Sequence, residues 1–202
     1  MPHISTQPLV WIDCEMTGLD TRIDRIIEIA TLITDSDLNI LATGPELVIH
    51  RPQELLDQMD DWNQKHHGGS GLIARVQAST LTIEDADQQT YDFIKKYVKH
   101  GAAPLCGNSV WQDRRFIDLE MPKTASCLYY RNIDVSSFKE CARRWYPDFP
   151  HYKKANHHRA LDDIVESIKE LRYYREFLMV RQPADPGLAA FSEVPAQAEK
   201  QE

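Results

Sequence analysis

"VWIDCEMTGLD" (residues 10–20) begins as a core strand and ends as something else. Val10, Trp11 and Ile12 suit any interior. Asp13 and Glu15 do not, since an unpaired buried carboxylate costs several kcal/mol or takes up a proton. Side chains alternate along a strand, so Asp13 and Glu15 share one face and Cys14 takes the other. Roughly 6–7 Å apart at Cα, two such carboxylates can converge on one cation. A strand running out into a solvated acidic turn has the same local sequence, and this segment alone does not separate the two readings.

Working outward, "RIIEIATLIT" (25–34) and "ILATGPELVIH" (40–50) read as two further strands joined by the polar turn "DSDLN" (35–39). Residues 51–80 change to short helical turns broken at Gly68–Gly69. A longer helix is expected over 82–100, with Thr82 as cap and Asp85 three residues on. "APLCG" (103–107) suits an internal strand, followed by a helix up to Pro122. "NIDV" (132–135) reads as another short strand, then a helix opened by Ser136 and closed before Pro147. A final helix over 158–178 has Leu161, Ile164, Ile168 and Leu171 as its apolar stripe. Strands first, then helices alternating with short strands, predict an α/β fold with a central mixed five-stranded sheet flanked by helices. Residues 1–180 form the expected domain. The Pro/Ala-rich, aperiodic residues 181–202 read as a disordered tail.

Composition narrows the chemistry. With 202 residues and 42% hydrophobic content the chain can bury a good core. No window is apolar enough to span a membrane, and "MPHISTQPLV" lacks the basic-then-apolar pattern of a secretory signal. The four cysteines (Cys14, Cys106, Cys127, Cys141) show no C-x-x-C spacing, so reduced thiols and a cytoplasmic location are expected. A net charge of −8 argues against holding a long nucleic acid by phosphate neutralisation. It is compatible with a small phosphate-bearing substrate held through metal ions.

Two later segments add acids. Asp113 follows a short strand and lies early in a helix, where an Asp often only answers the helix dipole. In "NHHRALDDIVES" (156–167) histidines and two Asp residues sit where a loop enters the last helix, and capping explains that too. If the element ends meet, Asp13, Glu15, Asp113 and one of Asp162 or Asp163 cannot share a pocket without cations. All-oxygen ligands suit Mg²⁺ or Mn²⁺, and a nearby His of near-neutral pKa suits a general base. Helix geometry alone favours Asp162 as the partner of His158, four residues away on one face. No cysteine comes with a positioned base, which argues against a Cys–His hydrolase.

The D-x-E of residues 13–15, the stretch from Asn108 to Asp113, and the H-x4-D from His158 to Asp163 resemble the three motifs of the DEDDh family of 3′→5′ exonucleases. Further stretches resemble the branch of that family that acts on short RNA: "WIDCEMTGLD", "RIIEIATLITD", "MDDWN" and "SGL", "CGNS" with "QDRRF", and "YRNIDVSSFKE". The resemblance covers about residues 8–178. It implies an RNase H-like exonuclease fold and hydrolysis of oligoribonucleotides, especially dinucleotides, to 5′-mononucleotides, the final step of RNA degradation. Asp13, Glu15, Asp113 and Asp163 would hold two divalent cations, Mg²⁺ or Mn²⁺, and His158 would be the general base. His157 is then a neighbour one position early, and Asp162 a structural residue.

Substrate contacts implied by the resemblance are Leu19 as a wedge between two bases, Trp62 and His67 against the substrate, and Ser109, Arg131 and Ser136 around a 5′ phosphate. Tyr130 would reach the partner's site in a homodimer. The sequence departs from the family pattern at Cys14, at the extra His66 of "KHHGG" (65–69), and at Trp111. Leu19, Trp62, Tyr130 and Ser136 also have plain structural readings as a turn residue, a helix anchor, a half-buried aromatic and an N-cap. Two rivals stay open: a DEDDh exonuclease acting on single-stranded DNA 3′ ends, and a non-catalytic nucleotide-binding module on the same fold.

Overall fold

The computed structural model describes residues 7–153 and 159–179. His158 and the tail from 181 onward therefore lie outside the described residues. In chain order the elements are β1 (Leu9–Met16), β2 (Ile26–Thr34), β3 (Ile40–Val48), α1 (Gln53–Asp57), α2 (Asp61–Gly69), α3 (Leu72–Ala78), α4 (Ile83–Ile94), β4 (Ala103–Gly107), α5 (Trp111–Glu120), α6 (Pro122–Cys127), β5 (Leu128–Asp134), α7 (Val135–Trp145) and α8 (Ala160–Phe177). The strands form one mixed sheet in the order β3-β2-β1-β4-β5. β1 pairs antiparallel with β2 and parallel with β4, and β4 pairs parallel with β5. The expected five-stranded mixed sheet with flanking helices is the observed architecture.

β1 sits at the centre of this sheet, and its alternation sorts the molecule into two layers. Val10, Ile12 and Cys14 join the core built with Phe93, Ile94, Phe116 and Ile117 of α4 and α5. Trp11 joins the opposite core, built with Ala160, Ile164, Ile168, Leu171 and Tyr174 of α8 and with Val135 and Ala142 of α7. By the same period of two, Asp13 and Glu15 continue along the Trp11 face, toward α8. A third small cluster, Ile27 with Leu56, Met59, Leu72 and Val76, seats α1 and α3 beside β2.

Packing holds the elements that matter for the site. α8 starts at Arg159 without a side-chain cap, but each fully buried Ile or Leu along its stripe contributes about 1.5–3 kcal/mol. Thr82 caps α4 as its sequence predicts, accepting from the Asp85 amide at 3.1 Å.

Several boundaries differ from the sequence reading. α4 ends at Ile94 and not near residue 100, and the chain passes through turns before β4. Pro122 ends one helix but opens the next, standing at the first turn of α6, where its missing N–H costs nothing. β5 begins at Leu128, four residues before the expected strand. Its middle is exposed, so the period-two signal that marks a half-buried strand is missing. Ser136 does not open α7: Asp134 is the N-cap, and its carboxylate accepts from the Ser136 amide at 2.9 Å.

Candidate active site

Asp13 and Glu15 leave the sheet where β1 is about to bulge. The regular register with β2 breaks between Glu15 and Met16, which twists the strand end outward. Asp163 stands in the first turn of α8. Its carboxylate, with those of Asp13 and Glu15, places one oxygen from each residue within 4.8 Å of the others. Helix spacing alone favours Asp162, and the structure differs: Asp163 meets the strand carboxylates, while Asp162 is exposed to solvent.

Asp113 approaches from the other layer. It is buried in α5, and its Oδ1 accepts from the Cys14 amide, between the two acids of β1, at 2.9 Å. The thiol of Cys14 faces into the core beneath, as alternation requires, and burial followed by the nearby charge of Asp113 raises its pKa.

Burial and like charge make this group of acids hard to ionise together. The Glu15 pKa is pushed up to about 7, first by burial and then by Asp163, Glu28 and Asp113, against the opposing pull of Arg75. Asp113 is also pushed up to about 7, mainly by burial, although the Cys14 amide favours its charged form. Glu28, opposite Glu15 on β2, is buried and held by Arg75 at 2.6 Å. Oxygen ligands of this kind fit hard divalent cations, whose charge removes the repulsion.

The loop after β1, the strand whose end carries Asp13 and Glu15, holds Leu19, which is 60% exposed. The loop closes on Asp24, whose carboxylate accepts from the Thr17 hydroxyl at 2.9 Å and the Asp20 amide at 2.8 Å. Gly18 makes this possible, because a Cβ there would lie 2.5 Å from an Asp24 oxygen. His67, on α2, is buried against the end of β1. Its Nε2–H donates to the Met16 carbonyl at 3.0 Å, and Nδ1 lies 4.0 Å from Glu15 Oε2. Burial lowers its pKa. Trp62 is 67% exposed, and its ring stacks on His66 at 4.7 Å and 9°.

Ser109 and Ser136 meet beside the end of β4. The Ser109 amide donates to Asp134 Oδ1 and Ser136 Oγ, both at 2.9 Å, and the two hydroxyl oxygens lie 3.2 Å apart. Ser109 holds φ +50°, a strained value for a residue with a side chain. Arg131 points elsewhere: its Nε donates to the Tyr130 hydroxyl at 2.8 Å, and its guanidinium lies 5.2 Å from that ring's centroid. Tyr130 is exposed, so it anchors nothing in the described core.

Sequence reasoning missed the residue that ties these parts together. The Asn108 amide nitrogen donates to Ser167 Oγ at 2.7 Å and to Glu170 Oε2 at 3.2 Å, while its oxygen accepts from Ser136 at 3.1 Å. Ser167 in turn donates to the Asp163 carbonyl at 2.8 Å. One side chain therefore links the serine pair to the helix that carries Asp163. Asn108 follows an apolar strand and opens a stretch that resembles a family motif, but its partners 59 and 62 positions away were invisible without the fold.

A family model described as exonuclease, RNase T, matches residues 10–171. The chain is 57% identical to the oligoribonuclease of Alcanivorax borkumensis over 83% of its own length and 93% of that protein. It is 58% identical to the oligoribonuclease of Haemophilus influenzae strain PittGG, covering 86% and 96%. Among solved structures it resembles exonuclease I of Methylocaldum szegediense, with a TM-score of 0.65 at 15% identity over 85% of this chain and 41% of that one. E. coli exonuclease I in complex with a dT13 oligonucleotide gives 0.65 at 12% identity, covering 84% and 41%. The chain thus spans well under half of the exonuclease I molecules, and at these identities the likeness shows the RNase H-like exonuclease fold. The strand-end acids, the fold and the extent of these matches agree: the chain belongs to the oligoribonuclease family of exonucleases.

Proposed function

We propose that this protein is a metal-dependent 3′→5′ exoribonuclease that degrades short oligoribonucleotides, dinucleotides best, to 5′-mononucleotides. The observation that carries the reading is the convergence of Asp13, Glu15 and Asp163 from a strand end and a helix start, with Asp113 bonded between the first two. Such a cluster would hold two divalent cations, Mg²⁺ or Mn²⁺, which when bound supply an activated water and neutralise charge on the leaving oxygen. Water adds to the phosphorus of the last diester, the bond from that phosphorus to the 3′ oxygen breaks, and the departing oxygen takes a proton from solvent to become the 3′ hydroxyl of the shortened chain. His158 is the general base that takes the proton from the attacking water.

The rest of the site positions substrate. Leu19 presents an apolar side chain from a braced loop, suited to wedge between adjacent bases, and Trp62 and His67 line the side where the last nucleotide would lie. Ser109 and Ser136 offer hydroxyls to a terminal 5′ phosphate. Arg131 would complete that cap by turning away from the exposed ring of Tyr130 that holds it, with Tyr130 acting across a homodimer. We read the protein as cytoplasmic; among the described residues no helix is long and apolar enough to cross a membrane. With a net charge of −8, affinity comes from these few contacts and not from many phosphates.

The test is a ladder of 5′-labelled RNAs of two to twenty nucleotides with purified protein in Mg²⁺, Mn²⁺ or EDTA, alongside DNA of the same sequences. Mononucleotide release confined to metal and fastest on the RNA dimer supports the reading. Equal or faster digestion of DNA would assign the enzyme to single-stranded DNA ends instead.

A further inference from the structure

Beside the all-oxygen cluster lies a second group that includes nitrogen. Glu15, His66 and His67 each offer a ligand atom, and these atoms lie within 4.8 Å of one another. The two rings are held in different ways. His67 donates Nε2–H to the Met16 carbonyl at 3.0 Å. A carbonyl only accepts, so that nitrogen carries the proton and Nδ1 presents its lone pair toward Glu15 Oε2, 4.0 Å away. One N–H anchored on a backbone carbonyl while the other nitrogen faces outward is the usual support of a metal-binding histidine. His66 is fixed by stacking on Trp62 at 4.7 Å and by an edge contact with the His67 ring at 5.5 Å and 73°.

Two imidazoles and a carboxylate are the donor set of three-ligand zinc sites that keep a fourth position open. Imidazole suits Zn²⁺ and its neighbours, whereas carboxylate-only pockets suit Mg²⁺ and Mn²⁺. Ligand atoms around a tetrahedral ion at about 2.0–2.2 Å stand roughly 3.3–3.5 Å apart. The Glu15–His67 pair, at 4.0 Å, closes by less than an ångström, and since no pair exceeds 4.8 Å none has to close by more than about 1.5 Å.

We propose that Glu15, His66 and His67 form a distinct site for a borderline divalent ion of the Zn²⁺ class, and that filling it inhibits the exonuclease. Inhibition follows from Glu15, which belongs to both groups. An ion between Glu15 and the histidines draws that carboxylate away from Asp13 and Asp163. It also occupies the space beside His67 where the last nucleotide would lie, a consequence that rests on the function proposed above. His66 is the residue that makes the difference, because a single histidine with Glu15 gives only two ligands.

The probe is Co²⁺ added to the full chain in excess Mg²⁺, read by visible absorption. Wild-type protein is expected to show the intense bands of a low-coordinate nitrogen–oxygen site, bleached by Zn²⁺. His66→Phe keeps a ring on Trp62 without a ligand nitrogen, and both it and His66→Ala should lose the bands. In the nuclease assay, each protein normalised to its own zinc-free rate, Zn²⁺ should inhibit wild type at least about tenfold more strongly than either variant. Tenfold is the low end of what losing even an outer-shell partner costs a metal site. Unchanged bands and unchanged zinc sensitivity in both variants would overturn the site and leave zinc acting at the carboxylates alone. The absorption is read without turnover, so it still decides the metal site if the RNA activity proves wrong.

Discussion

Replacing Asp113 by Asn should stabilise the metal-free protein while abolishing its nuclease activity. Asp113 is buried, and its pKa stands at about 7 against an ordinary 3.8. A carboxyl that binds its proton more tightly in the folded state than in the unfolded one opposes folding once it must ionise. That penalty is absent below the unfolded pKa, grows through the window from about 4 to about 7, and is complete above it. At 1.36 kcal/mol per pKa unit the full cost is of order 4 kcal/mol, an upper bound because Glu15, which the charge of Asp113 also pushes up, relaxes together with it. Asn keeps an oxygen for the Cys14 amide at 2.9 Å and nearly the same volume, so no cavity forms and that N–H stays paired, while the new buried NH2 takes back part of the gain. A gain of about 1–3 kcal/mol at pH 8 is expected, or roughly 2–10 °C in Tm for a chain of this size. The gain should vanish near pH 4. The measurement is thermal unfolding in EDTA at the two pH values. Asp113→Ala should gain less at pH 8, since it strands the Cys14 amide. A pH-independent loss of stability in Asp113→Asn would refute the crowded-carboxylate account.

Other outcomes follow from the same geometry. His158→Ala should lose most turnover yet keep Mn²⁺ binding by calorimetry, because a base acting on water is not a ligand; a loss equal to that of Asp13→Ala would make it one. Mixing Tyr130→Ala with Asp113→Ala protein, each inactive alone, should restore activity in the heterodimer, and no recovery despite proven subunit exchange would place Tyr130 in its own subunit. Asn108→Ala should weaken binding of 5′-phosphorylated dimers more than of unphosphorylated ones, because the serine pair loses its tie to α8; equal weakening would deny the link. Removing the 5′ phosphate from a dinucleotide should cost about 2–3 kcal/mol if charge-assisted bonds are lost, roughly a hundredfold in Kd, and far less on a heptamer.

How much of this was legible in the sequence varies with the range of the interaction. The β1 alternation, the internal strand over 103–107 and the Thr82 cap rest on neighbouring residues, and all three were readable. β5 was misplaced because its middle is exposed and carries no alternating pattern. The α7 cap was misassigned because Asp134 and Ser136 are both competent caps, and only the backbone decides between them. In the site, Asp13 and Glu15 announced themselves as acids at a strand end. Helix spacing pointed to Asp162 in place of Asp163, and the bond from the Cys14 amide to Asp113 spans 99 positions. The same holds for the role of Asn108 and for Glu28, which raises the Glu15 pKa from the adjoining strand.

The central claim, that carboxylates from a strand end and two helices together hold the ions that do the chemistry, is tested most directly by counting bound Mn²⁺. Equilibrium dialysis of wild-type protein with a non-hydrolysable dinucleotide is predicted to give two Mn²⁺ per chain. Asp13→Asn, Glu15→Gln, Asp113→Asn and Asp163→Asn should each bind fewer, while Asp162→Asn should still bind two. Two ions retained in any of the first four, or their loss in Asp162→Asn, would contradict it.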